Sequence, residues 1–122
     1  MTEGIEVEAV MKALGARRLT FRTEAELQDL IGRVFSEAKI PFEREVRLGP
    51  ASRIDFIVGE DIGLEVKVDG SPSAVAEQIL RYCGSPRLSC VLLVTSKARL
   101  GKLPPRILGK RVEVLALWRS ML

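Results

Sequence analysis

Residues 53–68 decide the fold, and they read Arg-Ile-Asp-Phe-Ile-Val-Gly-Glu-Asp-Ile-Gly-Leu-Glu-Val-Lys-Val. The two ends of this stretch alternate between apolar and polar residues, which is the pattern of half-buried β-strands. A three-residue loop, 59–61, separates them and contains one glycine and two acids. We therefore predict an antiparallel hairpin in which Val58 pairs with Ile62.

The alternation also predicts which side chains share a face of the hairpin. Residues two apart on a strand point the same way. On the first strand, Ile54, Phe56 and Val58 are therefore expected on one face. Asp55 is expected on the other.

Three charged side chains are predicted to crowd one patch of this sheet. In the predicted register Asp55 lies directly across from Glu65, and Lys67 shares the face of Glu65. Cross-strand neighbours have Cβ atoms roughly 5 Å apart, and two like charges there destabilise a sheet unless something compensates. A shared proton, the lysine or a divalent cation would compensate, and a hard cation suits the oxygen ligands best. The alternative is that these residues are ordinary ion pairs on a solvated face.

Length and composition indicate one globular domain covering residues 1–122. Apolar residues make up 47% of the 122 residues and charged residues 29%, which is ordinary for such a domain. No run approaches the roughly 18 apolar residues that span a bilayer. The acids Glu3, Glu6 and Glu8 occupy the place of a signal peptide. We expect a cytoplasmic protein without a membrane partner.

The residue types present limit the chemistry. The chain has no histidine and only two cysteines, Cys83 and Cys90, which argues against a zinc site of the usual type and excludes a histidine general base. Catalysis must then use carboxylates, lysine, tyrosine, a metal or a thiol. The apolar neighbours of both cysteines favour buried packing roles.

The net charge of +3 hides an asymmetry along the chain. Residues 1–86 carry 11 Lys or Arg and 15 Asp or Glu, so their net charge is 11 − 15 = −4. Residues 87–122 carry eight basic residues and one acid, Glu113, so their net charge is 8 − 1 = +7. A basic segment beside an acidic cluster suits a protein that holds a polyanion near a cation. Basic tails also occur without that purpose.

Helical and strand patterns flank the hairpin. A helix is predicted within 4–16, and a second over 24–39, where Thr23 and Glu26 form a capping-box pattern and Pro41 follows the end. The alternation in 42–48 predicts a first strand. This strand and the hairpin that follows would form a three-stranded antiparallel meander.

The second half of the chain predicts a crossover. Ser71 can cap a helix that begins at Pro72 and ends at Gly84. The apolar run Cys90–Thr95 is typical of a strand covered on both faces and parallel to its neighbour. A short helix is predicted near Pro105, and a last strand over 112–117.

Two acids in the first turn of the 24–39 helix compete for a place beside the sheet. Projected at 100° per residue, Glu24 falls about 50° from the centre of the apolar stripe and Glu26 about 110° away. Glu24 is therefore expected to face the sheet. It could equally be a first-turn carboxylate favoured by the helix dipole.

These motifs together resemble the PD-(D/E)XK, or restriction-endonuclease-like, nuclease superfamily over about residues 23–95. The resemblance consists of an acid on the helix, Asp55 on the second strand, Glu65-x-Lys67 on the third, and Gln78-xxx-Tyr82 on the next helix. Within this superfamily the chain is similar to small Holliday junction resolvase-like and RecB-type nuclease domains. Ile54 replaces the motif proline, and the missing histidine favours the resolvase-like side.

The resemblance implies an α/β fold with a restriction-endonuclease-like αβββαβ core, a mixed central sheet flanked by helices, and a basic C-terminal extension over 96–122. It implies that Asp55, Glu65 and the Val66 carbonyl ligate Mg²⁺ or Mn²⁺. Lys67 would orient or deprotonate the attacking water, and Glu24 would complete the site.

The resemblance further implies that Gln78 and Tyr82 position a phosphate backbone, with Arg53 and Arg81 as further nucleic-acid contacts. The expected activity is metal-dependent hydrolysis of DNA phosphodiester bonds, by an endonuclease or exonuclease of DNA repair and recombination. Resolvase-like relatives act as dimers, so a homodimer is expected. The alternative is an inactive nucleic-acid-binding module that retains the nuclease fold.

Overall fold

The structure, a computed structural model, describes residues 4–117. A six-stranded mixed sheet lies between helices. The elements in chain order are α1 (Val7–Gly15), α2 (Glu24–Ala38), β1 (Phe42–Gly49), β2 (Ser52–Val58), β3 (Ile62–Lys67), α3 (Pro72–Cys83), β4 (Cys90–Thr95), a 3₁₀ helix (Ala98–Gly101), β5 (Arg106–Ile107) and β6 (Lys110–Ala116).

The strands lie in the order β1-β2-β3-β4-β6-β5. Strands β1, β2 and β3 form the predicted antiparallel meander, and β4 runs parallel to both β3 and β6. Helix α3 makes the predicted crossover between β3 and β4. The mixed α/β architecture with a sheet flanked by helices is therefore confirmed.

Two apolar clusters cover the two faces of the sheet. Helices α1 and α2 pack on one face, where Phe35 and Phe56 meet edge to face with ring centroids 6.0 Å apart. Helix α3 packs on the other face through Val75, Ile79 and Tyr82. Strand β4 is buried at every residue, as its continuous apolar run predicted. Charged side chains of the central strands can therefore contact solvent only where strands end or separate.

The predicted caps fix where two of the helices begin. The Thr23 hydroxyl accepts a hydrogen bond from the Glu26 N–H at 3.1 Å, and the Ser71 hydroxyl accepts one from Ala74 at 3.2 Å. Helix α2 stops one residue before the predicted end, because Lys39 adopts a left-handed conformation with φ 58°. None of the helices in residues 4–117 is long and apolar enough to cross a membrane.

The expected common face for Ile54, Phe56 and Val58 is wrong. Ile54 packs in the α3-side cluster, whereas Phe56 and Val58 belong to the α2-side cluster. The neighbouring strand β1 is irregular at the same level, where Glu45 has φ 52° and is not paired with Asp55 in the register. A left-handed residue interrupts the alternation of β1, and the alternation of β2 is interrupted beside it, at Asp55.

The predicted helix near Pro105 is also wrong. Pro105 leads into β5, and its carbonyl accepts a hydrogen bond from the Val112 N–H at 2.9 Å. Pairing of β5 with β6 satisfies the backbone there, so the proline begins an extended segment. The last strand begins at Lys110 rather than at 112. Residues 118–122 of the predicted basic extension, with Arg119, lie outside the described residues.

Substitution of Gly63 tests the close packing of the hairpin against the loop before β4. A Cβ atom at Gly63 would lie 2.6 Å from the Ile54 Cδ1 and 2.7 Å from the Leu88 Cδ1. We expect Gly63→Ala to lower the free energy of unfolding by about 1–3 kcal/mol, because both neighbours are buried and cannot move aside freely. Gly49→Ala is the strand control, since its Cβ meets open space. Urea unfolding measures both, and equal stability of the two variants would contradict the packing.

Candidate active site

The predicted hairpin register is present, and it opens at one end. Val58 pairs with Ile62 as expected, and Phe56 pairs with Leu64. Beyond Phe56 and Leu64 the backbone pairing ends, and side chains make the hydrogen bonds between the two strands.

At this opening the side chains of Asp55 and Glu65 each accept a hydrogen bond from the backbone of the opposite strand. The Asp55 N–H donates to Glu65 Oε1 at 3.2 Å, and the Val66 N–H donates to Asp55 Oδ2 at 2.8 Å. Two carboxylates therefore occupy the place where strand-to-strand hydrogen bonds would otherwise form. The close approach of Asp55 and Glu65 agrees with the register predicted from the loop length.

Both carboxyl groups resist ionisation. Glu65 is 3% exposed, and burial, reinforced by the charge of Asp55, raises its pKa to about 8. The pKa of Asp55 is also raised, first by burial and then by the charge of Glu24. Such perturbed pairs in proteins occur more often at functional sites than elsewhere.

Lys67 lies on the same side as Glu65, as its spacing predicted. Its Nζ atom is 3.8 Å from Glu65 Oε2, and its side chain is 24% exposed. Lys67 thus partly neutralises the pair while its ammonium still contacts solvent. A ligand that approaches the carboxylates from outside would meet this cation.

Tyr82 supports Glu65 from the α3 side. Its hydroxyl lies 3.1 Å from Glu65 Oε1 and 2.9 Å from the Arg53 carbonyl oxygen, and it accepts a hydrogen bond from Gln78 Nε2 at 2.9 Å. The residue is 1% exposed, and burial raises the pKa of its phenol. Tyr82 and Gln78 therefore form a hydrogen-bonded chain that reaches Glu65 from helix α3. Their expected contact with a phosphate backbone stays a prediction.

The two acids of the first turn of α2 have separate roles. Glu24 Oε1 accepts a hydrogen bond from the Val68 N–H at 3.4 Å, which places this carboxylate beside the end of β3. Glu26 Oε2 instead accepts from the Arg22 N–H at 3.2 Å and so closes the start of its own helix. Glu24 is thus the acid that faces the sheet.

Arg53 and Arg81 have exposed side chains, on β2 and α3 respectively. Neither side chain forms an ion pair with another residue of the described chain. The backbone carbonyl of Arg53 is the acceptor for Tyr82. A role of either guanidinium in binding nucleic acid stays a prediction.

The cysteines take no part in this region. Cys83 and Cys90 are buried and are not bonded to each other. Burial raises the pKa of both thiols, that of Cys90 to about 11. A thiolate nucleophile is therefore disfavoured, as the apolar surroundings in the sequence indicated.

The donor atoms at the opening suit a hard divalent cation. In residues 4–117, no three His, Cys, Asp or Glu side chains form a metal-binding group by themselves. Mg²⁺, however, is often bound through one or two carboxylates and retains several waters. Asp55 and Glu65 supply two carboxylates whose repulsion a cation would relieve, and the Val66 carbonyl lies between Glu65 and Lys67 in the chain. The residues therefore fit such an ion chemically.

Arg99 was not predicted from the sequence as part of this end of the sheet. Its guanidinium donates to the Gly70 carbonyl at 3.0 Å and lies 3.7 Å from Asp69 Oδ1. Both partners follow β3 directly, so Arg99 links the segment after β4 to the segment after Lys67. No spacing in the sequence indicates this contact, because it depends on how the two loops meet.

Comparison of the chain with protein-family models, with curated proteins and with solved structures found no match in any of the three. The geometry of the opening is therefore the basis for a functional proposal.

The raised pKa of Glu65 gives a test of this geometry in the absence of metal. Its pKa is about 8 when folded and near the ordinary 4.5 when unfolded, so its contribution to stability is complete below pH 4.5 and is lost as pH rises through 8. Glu65→Gln cannot titrate. We expect the variant to gain stability relative to the wild type between pH 5 and pH 9, by at least about 3 °C in Tm. Thermal unfolding in EDTA measures this, and a constant difference across that range would contradict it.

Proposed function

We propose that this chain is a Mg²⁺- or Mn²⁺-dependent deoxyribonuclease with a restriction-endonuclease-like core. The observation that supports it best is the facing pair of carboxylates, the half-buried Asp55 and the buried Glu65, with the Lys67 ammonium 3.8 Å from Glu65. An ordinary surface ion cluster does not require two acids to replace backbone pairing inside a sheet. A bound cation would offset the repulsion between two such acids.

The two carboxylates and the Val66 carbonyl would hold the ion. When bound, such an ion supplies an acidified water as nucleophile and neutralises charge on the phosphoryl oxygens. The protein's own contribution is to hold its oxygens in place, and Tyr82 does this by its hydrogen bond to Glu65. Glu24, close to the end of β3, is the further acid available to the site.

Lys67 provides positive charge that does not depend on a metal. Its ammonium lies beside Glu65 and is accessible, so it can contact a phosphate oxygen that approaches the carboxylates. There it orients the attacking water and stabilises the charge that develops in the transition state. Arg53 and Arg81 would bind the flanking phosphates, mostly without reading sequence.

A second candidate function is an inactive DNA-binding module with the same fold. One observation favours it: Glu65 Oε1 already accepts hydrogen bonds from within the protein, and no three acids of the described residues are grouped closely enough to hold a metal ion by themselves. Both candidates predict a DNA partner. We also propose a cytoplasmic location and, by the resemblance to resolvase-like nucleases, a homodimer.

Cleavage assays separate the two functions. We expect the wild type to cut linear, nicked or four-way-junction DNA in Mg²⁺ or Mn²⁺ and to stop in EDTA. Lys67→Ala and Asp55→Ala should each lower the cleavage rate at least about 100-fold, because the first removes the ammonium beside the reacting phosphate and the second removes a carboxylate that would hold the ion.

Arg33→Ala is the control for this assay, since Arg33 is an exposed cation on α2 away from the opening. It should cut like the wild type. Cleavage by Lys67→Ala at the wild-type rate would contradict the proposed role of the lysine. DNA binding without cleavage in any metal would favour the inactive module.

The two acids of α2 form a matched pair. Glu24→Gln should lower the cleavage rate about tenfold, because it removes a charge near the end of β3. Glu26→Gln should leave the rate unchanged and lower stability by about 0.5–1 kcal/mol, because Glu26 closes the helix start. Rates and urea unfolding on both variants check this. The reverse result would assign the site to Glu26.

A further inference from the structure

The basic C-terminal part of the chain divides into engaged and free cations. Seven of its eight basic residues are described: Arg87, Lys97, Arg99, Lys102, Arg106, Lys110 and Arg111. Net charge alone treats them as equivalent. Their contacts show that they are not.

Three of the seven are paired with acids, and one of these, Arg99, lies 3.7 Å from Asp69. Arg87 lies 3.5 Å from Glu43. Arg111 bridges Glu8 and Glu113, at 2.6 Å and 2.7 Å. The charge of Arg111 in particular is balanced by two carboxylates, so it adds little to a field that attracts a polyanion.

Two more stabilise the far end of the sheet. The Lys110 ammonium bonds the Ser85 carbonyl, and Arg106 donates to the Gly109 carbonyl at 3.4 Å within its own hairpin. The β5–β6 pairing places them beside the start of β6. Because β3, β4 and β6 are parallel, that end is opposite to the end where β3 carries Lys67.

Lys97 and Lys102 remain. Neither side chain has an ion pair or a hydrogen bond to another residue of the described chain. Both belong to residues 97–102, which we call the basic lip. The lip follows β4, whose last residue Thr95 pairs with Lys67 on β3, so it begins beside the carboxylate opening.

The lip is firmly attached to the fold. Leu100 is 1% exposed in the α3-side core, and a Cβ at Gly101 would lie 2.6 Å from Val114 Cγ1, so the backbone packs directly on β6. Arg99 ties the lip to the Gly70 carbonyl. The two free lysines thus stand on an ordered support, which reduces the entropy lost when a ligand binds.

We propose that the basic lip binds the phosphate backbone of duplex DNA beside the carboxylate opening, through Lys97 and Lys102. DNA as the occupant rests on the proposed function. The charge of the lip supports a polyanion independently, since Arg99 is its one basic residue with an ion pair in the described chain, to Asp69, and Lys97 and Lys102 have none. The lip would extend the contact made by Arg53 and Arg81.

The test is DNA binding in EDTA, which needs no cleavage. A labelled 20-base-pair duplex is titrated with the full-length chain by fluorescence anisotropy at several salt concentrations. We expect the Lys97→Ala/Lys102→Ala variant to reduce the slope of log K against log salt by about 2 and to weaken binding at least about tenfold at low salt.

The matched control is Arg87→Ala/Arg106→Ala, which removes the same charge from the same part of the chain. It should change affinity less than twofold. Equal losses in the two double variants would mean that only net charge matters and would overturn the proposal. Unchanged binding by the lip variant would overturn it too, as would a loss seen with duplex RNA but not with DNA. If the lip variant loses DNA binding while no metal supports cleavage by the wild type, the lip stands and the nuclease assignment fails.

Discussion

The structure depends on one unfavourable arrangement, two carboxylates brought together where β2 and β3 separate. Asp55 and Glu65 each accept a backbone N–H from the opposite strand, so the hairpin remains connected although the regular ladder has ended. The arrangement leaves both acids largely desolvated and repelling each other. Removing charge from water is expensive unless a partner compensates, and within the described chain only Lys67 lies close enough to Glu65 to form an ion pair.

Both layers of the fold contribute to this opening. Glu24 reaches it from α2, on one face of the sheet, and Tyr82 reaches it from α3, on the other. The opening is therefore held from two independently packed sides. The two helices begin at caps that are local in sequence, which fix where each helix starts. This explains how a chain of modest size can keep a strained group in place.

Much of this was predictable because it depends on short-range rules. The three-residue loop and the alternation around it were enough to pair Val58 with Ile62, and that register alone brings Asp55 to Glu65. The change of face at Ile54 was not predictable, since it accompanies an irregularity on a different strand, at the left-handed Glu45. The helix expected near Pro105 failed because pairing of β5 with β6 overrides local propensity. Spacing placed Gln78 and Tyr82 on one helical face, but only the packing of α3 directs the phenol to Glu65.

The Tyr82 hydroxyl has one hydrogen and two oxygen neighbours, the Arg53 carbonyl and Glu65. While Glu65 is protonated, the phenol can donate its hydrogen to the Arg53 carbonyl oxygen. Once Glu65 loses its proton, the carboxylate becomes the stronger acceptor, and the phenol turns to it. The phenol can donate its one hydrogen to only one of these oxygens at a time. A single O–H group thus couples the protonation of Glu65 to the hydrogen bonding of the β2 backbone at Arg53.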